Sequence, residues 1–380
     1  MEVATSVSTK RMRCAVVGLG QGMHDVNVIT HHPRMSLVAV CDTDRERYEW
    51  LTGSRPIEDS SSDLAQQPGY RALVQSLRDL PEVKDIRYVA SYTELLKQDD
   101  IDAVVIVVGD ALHEQFTIAA LEAGKYVLCT KPMASSMEAA FNIAAAARKH
   151  PGHYMLSLQM GYSPLVQTIT GLIEEGALGK VHLLRFDYHR QPWRPVHSFK
   201  NAKIDGTFLK EGVHWIDMIY RISGYRPFTK IAAFGGIDAN VGKTDFEDNG
   251  VTIIDYGDFR VYHGFSYFRP SRRAEDLLIA GDKGTLRGTF WELYLENDDG
   301  ERTITVPGFR MPLQWLVGYE DMHDEFARMV LDGKEPYSNW ETALENTLTA
   351  YAAQMAVVEN RMVTREELSA VDWRLVFSHK

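Results

Sequence analysis

The sequence predicts an α/β domain with a doubly wound parallel sheet, followed by an α+β domain with a large, mainly antiparallel open sheet. Three observations carry that reading. From residue 13 to about 150, short runs that are apolar throughout alternate with helical patterns, as strands covered on both faces do. After His150 the pattern turns to successive strand-like runs with turn signals between them, such as Asn297-Asp298-Asp299-Gly300. The chain has 380 residues, more than one core usually organises when a domain takes roughly 150.

The elements follow in order. Residues 1–10 are small and polar and read as a flexible tail. The run 13–17 is a buried strand ending in glycines, and 25–31 a helix. Strand 36–41 ends at Asp42, and 44–51 is helical. Residues 52–85 are rich in Ser, Pro, Asp and Gln, with helical spacing over 70–80, and read as a surface insertion. Strands follow at 86–89, 101–108 and 126–129, and helices at 93–98, 113–123 and 135–150. Gly124 closes the helix before it, as C-cap chemistry favours. In the second half, 165–175, 208–223, 321–331 and 340–359 are helical. Strands are expected at 180–189, 230–234, 251–256, 260–268, 276–280, 285–290, 293–296 and 302–306. The last long helix opens with the capping-box pattern Ser338-Asn-Trp-Glu341. The boundary between the two patterns lies within 130–160.

Composition narrows the function. At 45% hydrophobic and 24% charged residues the chain is ordinary globular protein, not a disordered one. A net charge of −11 with no Lys/Arg block speaks against nucleic acid. The longest aliphatic run, 103–108, is far short of a membrane span, and the first twenty residues contain no apolar leader segment. Cys14, Cys41 and Cys129 each fall inside a strand run and read as buried free thiols of a reducing, cytoplasmic compartment. They share no metal-ligand spacing, so no metal is expected.

Four groups of residues carry candidate chemistry. Gly18-Leu-Gly20-Gln21-Gly22-Met23 follows a strand and precedes a helix, where glycines let backbone N–H groups approach a pyrophosphate. The third glycine of the usual dinucleotide pattern would stand at Met23, so Gly22 relieves crowding one residue early. Asp42 ends the second strand, where a carboxylate binds ribose hydroxyls and repels a 2′-phosphate; this favours NAD over NADP. Val108 and His113 complete the expected cofactor-binding set. Lys131, in Cys129-Thr-Lys131-Pro132, sits at the end of a parallel strand, the edge where open α/β sheets bind ligands. Its ammonium suits proton transfer to or from a substrate hydroxyl. Lys210, His214 and Asp217 fall at i, i+4 and i+7 and share one face of a regular helix. Arg190, Trp193, Arg194 and His197 follow a strand and supply aromatic and forked polar groups suited to a sugar ring. Tyr162 and Trp215 are further candidates for substrate contact.

These segments resemble a known family. AVVGLGQGMH, VAVCDTD, DIDAVVIVV, LHEQFTIAALEAGKYVLCTKP, GLIEEGALGKV and GVHWID occur in the order found in the Gfo/Idh/MocA sugar and polyol oxidoreductases, over roughly residues 12–360. The resemblance implies a dinucleotide-binding Rossmann domain over 11–133 and a substrate-binding and oligomerisation domain over 134–380. The open sheet of the latter would pair copies into a homodimer or homotetramer. The resemblance also implies that Lys131, the lysine of the E-K-P motif, and His214, the acid/base histidine near the nicotinamide and the reacting carbon, are the catalytic pair, with Lys131 also among the cofactor-binding residues. Four positions depart from the family pattern. Thr130 replaces a glutamate, and Val108-Gly109 stands where Thr-Pro is common. Gln159-Met160 stands where Asn-Arg is common, and Lys210 replaces the aspartate four before the histidine. That cation either lowers the pKa of its neighbours or binds a substrate oxygen or carboxylate, so it joins both the catalytic and the substrate-binding candidates.

Three functions fit the sequence. The first is NAD-dependent oxidation of a secondary hydroxyl on a sugar, polyol or glycoside. The second is a redox-neutral glycosidase that oxidises its sugar transiently. The third is a sensor that binds NAD and a sugar without turnover.

Overall fold

The computed structural model describes residues 10–189, 208–242, 247–267, 274–307 and 317–370, which fall into two compact units. The first runs through Ala134 and adds Ala139–Ser157 and Tyr319–Ala343. Its sheet has six parallel strands: β1 Met12–Val17, β2 Met35–Cys41, β3 Arg87–Tyr88, β4 Ala103–Ile106, β5 Tyr126–Thr130 and β6 Tyr154–Ser157. The order is β3-β2-β1-β4-β5-β6. Order reverses between β1 and β4, which makes the carboxyl ends of those two strands the topological switch point. All four residues of β4 are buried, as a strand covered on both faces requires.

β6 was not expected from the sequence. Its four residues, YMLS, are buried and pair in register with β5, Val127 opposite Tyr154 through Thr130 opposite Ser157. A buried run this short shows no period of its own, so only its partner identifies it. Leu156 also donates its N–H to the Ser338 carbonyl (2.8 Å). The cap of the long helix Trp340–Glu359 is therefore Asn339, whose Oδ1 accepts from the N–H groups of Glu341 and Thr342 (3.0 and 3.1 Å), rather than Ser338.

The helix Tyr319–Asp332 returns to this first unit from far along the chain. It docks through His323 Nε2 on Asp25 Oδ1 (3.2 Å) and through Arg34 on Asp332 (2.6 Å). The helix Pro68–Arg78, inside the stretch read as an insertion, buries Tyr70, Val74 and Leu77. Cys14, Cys41 and Cys129 are all buried free thiols.

The second unit comprises Ser135–Glu138, Leu158–Gly318 and the chain from Leu344. Its nine strands are β7 Val181–His189, β8 Lys230–Gly236, β9 Asn249–Asp255, β10 Arg260–Ser266, β11 Ala274–Gly281, β12 Gly284–Gly288, β13 Glu292–Asn297, β14 Gly300–Thr305 and β15 Val363–Thr364. The order is β14-β13-β12-β11-β7-β10-β9-β8-β15, antiparallel except where β7 meets β10. Burial alternates along β13 and over part of β7 and β9. Leu184, Phe186 and Tyr188 of β7 are buried with Val261 and Phe265 of β10, whereas Leu183, Phe234, Ile253 and Tyr294 remain 40% to 62% exposed. Two residues, Val363 and Thr364, are too short a run to mark β15 in the sequence.

The stretch expected as one helix over 208–223 is two. Phe208–Gly212 is a π turn, and Val213–Ile222 is α-helical. The wider π turn changes the angular phase, so the i, i+4, i+7 face expected for Lys210, His214 and Asp217 does not run unbroken. Trp215 fastens the α-helix to the buried face of the sheet, with ring centroids 4.0 Å from Tyr188 and 5.4 Å from Phe186.

Candidate active site

The glycine loop leaves β1 at the switch point. Gly18 has φ +92°, and a Cβ there would lie 2.1 Å from the Val107 carbonyl oxygen, beyond the end of β4. A Cβ at Gly22 would lie 2.1 Å from the Gly18 oxygen. Both positions therefore admit only glycine: the first for its backbone angle and strand contact, the second for the tightness of the turn. Gly20 differs. Its absent Cβ would meet only Arg47 Nη1, at 3.8 Å, so the backbone there is open to a close-approaching group. The helix Met23–His31 begins immediately afterwards and presents the positive end of its dipole. Gln21 is half-buried, whereas the Met23 side chain is fully buried, which leaves its backbone as the part a ligand can reach.

Asp42 is 6% exposed and holds the loop in place. Its Oδ2 accepts from the Leu19 N–H (2.5 Å) and pairs with Arg47 Nη1 (3.2 Å), while Oδ1 accepts from the Asp44 N–H (2.8 Å). Tyr70 donates its hydroxyl to the Leu19 carbonyl (2.8 Å), so the insertion helix braces the same loop. No local sequence pattern marks the Tyr70 contact, because it joins residues distant in sequence. An open glycine backbone, a helix N-terminus and a carboxylate at the end of β2 together fit a dinucleotide.

β5 carries Lys131 one residue past its last paired position, two strands from β1. The lysine is half-buried, and the Lys131–Pro132 peptide is cis. Val108, also half-buried, continues β4 beside it. His113 opens the next helix, His113–Glu122, and is 0% exposed. Its Nδ1 lies 2.8 Å from the Pro132 carbonyl oxygen and its Nε2 lies 3.2 Å from that of Val108.

In the second unit His214 is 7% exposed on the helix Val213–Ile222. Asn346, itself 1% exposed, donates to the Val213 carbonyl (2.8 Å) and fixes the start of that helix. Asp217 and Arg221 lie one and two turns further on, with Arg221 Nε 3.6 Å from Asp217 Oδ2. The Arg221 guanidinium stacks 4.1 Å from the centre of the Tyr162 ring. A Cβ at Gly161 would lie 2.0 Å from Asp217 Oδ2 and 2.5 Å from Arg221 Nε, so this pair fills the space above that glycine. Tyr162 and Asp217, at 6% and 2% exposed, act here as internal ties of the turn 159–162 to the helix of His214. Trp215 is core, not a ligand-facing ring. Lys210 belongs to the π turn, and its side chain lies outside the described residues, as do Arg190, Trp193, Arg194 and His197.

Arg221→Met is expected to destabilise the chain by roughly 3 kcal/mol, since it strips a buried carboxylate of its guanidinium. Chemical denaturation measures this, and a loss below about 0.5 kcal/mol, the scale of a surface pair, would show the contact to be slack.

Comparison with known proteins agrees with this geometry. Residues 12–158 match the oxidoreductase family with an NAD-binding Rossmann fold, GFO/IDH/MocA, and residues 166–287 match the C-terminal domain of the same family. A 1,5-anhydro-D-fructose reductase of Ensifer adhaerens is 29% identical, over 71% of this chain and 84% of its own. A myo-inositol 2-dehydrogenase of Thermotoga maritima is 25% identical, over 72% and 83%. Among solved structures, an oxidoreductase from Agrobacterium radiobacter in complex with NAD+, L-tartaric acid and magnesium superposes with a TM-score of 0.76 at 17% identity, covering 94% of this chain and 100% of the other; this likeness is one of fold. The chain belongs to the GFO/IDH/MocA oxidoreductase family, with an NAD-binding Rossmann domain built on β1 to β6.

Proposed function

We propose that the chain is an NAD-dependent dehydrogenase acting on a secondary hydroxyl of a sugar, polyol or glycoside. The observation that carries this reading is a half-buried lysine at the carboxyl end of β5, on the same sheet edge as the open Gly20 loop. Names such as myo-inositol 2-dehydrogenase and 1,5-anhydro-D-fructose reductase among its relatives support the substrate class. Bound NAD supplies a hydride acceptor; the chain's own residues handle binding and protons. Gly18, Gly20, Gln21, Gly22 and the Met23 backbone hold the pyrophosphate, and Asp42 holds the adenosine ribose. Lys131 takes the hydroxyl proton as the carbon gives up its hydride, with His214 as the second proton-transferring group. Asp217 acts by orienting the helix of His214, and Lys210 is a cation for a substrate oxygen or carboxylate. Arg190, Trp193 and Arg194 complete the sugar contacts. His113 and Val108 act on the cofactor side through the ends of β4 and β5.

We read the enzyme as a homodimer or homotetramer, because one sheet of the second unit leaves Leu183, Phe234, Ile253 and Tyr294 substantially exposed. Buried free thiols fit a reducing, cytoplasmic setting. Among the described residues no helix is long and apolar enough to cross a membrane.

Asp42 gives a direct test of cofactor choice. Replacing it with serine removes the charge that repels a 2′-phosphate and leaves Arg47 to attract one. The ratio of NAD to NADP affinity is expected to fall at least tenfold in titration calorimetry. An unchanged ratio would place the adenosine ribose elsewhere.

A further inference from the structure

His113 stands where two strands stop pairing. β4 and β5 end their register at Ile106 opposite Cys129, and beyond that pair the chain runs on to Val108 on one side and to Lys131 and Pro132 on the other. Both nitrogens of one imidazole reach carbonyl oxygens of these extensions, Nδ1 that of Pro132 at 2.8 Å and Nε2 that of Val108 at 3.2 Å. A carbonyl only accepts, and a neutral imidazole has a single N–H. In either neutral tautomer one ring nitrogen would turn its lone pair against a carbonyl lone pair, on a side chain with 0% exposure. The doubly protonated ring satisfies both contacts.

We propose that His113 is held as an imidazolium whose two N–H groups staple the ends of β4 and β5 and so position Lys131. The inference rests on the reading of Lys131 as the proton-handling group. Burial works against the charged ring, but Cys129 on β5, Asp110 in the preceding turn and the Pro132 carbonyl outweigh it and raise the pKa to about 9. Lys131 lies on the same extension of β5, one residue before the accepting Pro132. The staple also reaches the cofactor loop, because the Val107 carbonyl, one residue before the accepting Val108, is the atom against which Gly18 packs. His113 is thus a positioning residue: fully buried, it acts through Lys131 and the strand ends.

Nitrogen-15 NMR of labelled histidine tests the charge without any turnover. Among the described residues His113 and His323 are the histidines at 0% exposure. In His323→Gln, a solvent-shielded ring with both nitrogens protonated is expected at pH 7.5 and should stay protonated up to about pH 8.5. Absence of such a ring, or one that is neutral at pH 7, would overturn the proposal even if Lys131 proves catalytic. Kinetics test the consequence. His113→Gln offers one donor nitrogen instead of two and no charge. Its kcat is expected to fall at least tenfold, with the KM for sugar changed less than threefold. A normal kcat in a folded His113→Gln would remove the positioning role. A charged His113 ring together with a silent Lys131 variant panel would instead point to failure of the catalytic reading alone.

Discussion

Lys131→Met is expected to lower NADH formation by about a thousandfold, within the range that positioned acid–base groups contribute. Methionine keeps much of the length and apolar volume of the lysine stem but carries no proton. The site favours that stem: Thr130 and Lys131 are half-buried, while Cys129 just before them is fully buried on β5. The substitution therefore removes chemistry without opening the strand end. NAD affinity, read by calorimetry, should change by less than about fivefold, because Asp42 and the glycine loop lie on β1 and β2. Loss of NAD binding in parallel with turnover would mean that the lysine holds the cofactor and does not move the proton. Retention of more than a tenth of the turnover would assign the proton to another group.

Gly18→Ala is expected to cost roughly 3 kcal/mol of stability and at least tenfold in NAD affinity. Two effects add. The φ of +92° is unfavourable for any L side chain by roughly 1–2 kcal/mol. The new methyl would also sit 2.1 Å from the Val107 carbonyl oxygen, and a backbone atom yields only by moving β1 away from β4. Such overpacking costs roughly 1–3 kcal/mol. Gly53 separates the two effects: its φ is +75°, but nothing lies within 4 Å of its Cβ position. Gly53→Ala should lose about 1 kcal/mol and keep NAD binding intact. Thermal unfolding with and without NAD reads both variants, and equal losses at the two glycines would show that the strand contact is soft.

Much of the fold was legible because local chemistry and tertiary role agree. The runs 13–17, 36–41 and 101–108 became β1, β2 and β4, since an all-apolar strand is what a doubly covered sheet buries. The eight strand runs of the second half became β7 to β14, because hairpin turns punctuate them. Most of the misses depend on partners elsewhere along the chain. β6 is four residues that become a strand only beside β5. The π turn at 208–212 changes helical phase with no signal in residue periodicity. Tyr70 reaches Leu19 across 51 positions.

The site was partly legible for the same reason. Gly18, Gly20, Gly22 and Asp42 form one short loop with its strand end, and pattern reading found them. Tyr162 and Trp215 read as sugar-facing aromatics, but burial beside Arg221 and against Tyr188 makes them internal. The i, i+4 spacing of Asp217 and Arg221 was visible in the sequence. What hid its meaning was Gly161, whose missing side chain makes room for that pair.

The central claim is net oxidation of a carbohydrate hydroxyl by NAD, and nicotinamide reduction by the purified chain tests it most directly. Inositols, aldoses, sugar acids and aryl glycosides would each be offered with NAD and with NADP, alongside Lys131→Met. The account predicts NADH formation with one carbohydrate class, preference for NAD, and loss of the signal in the variant. NAD binding without NADH from any class would contradict it: aglycone release would then indicate a redox-neutral glycosidase, and silence a sensor.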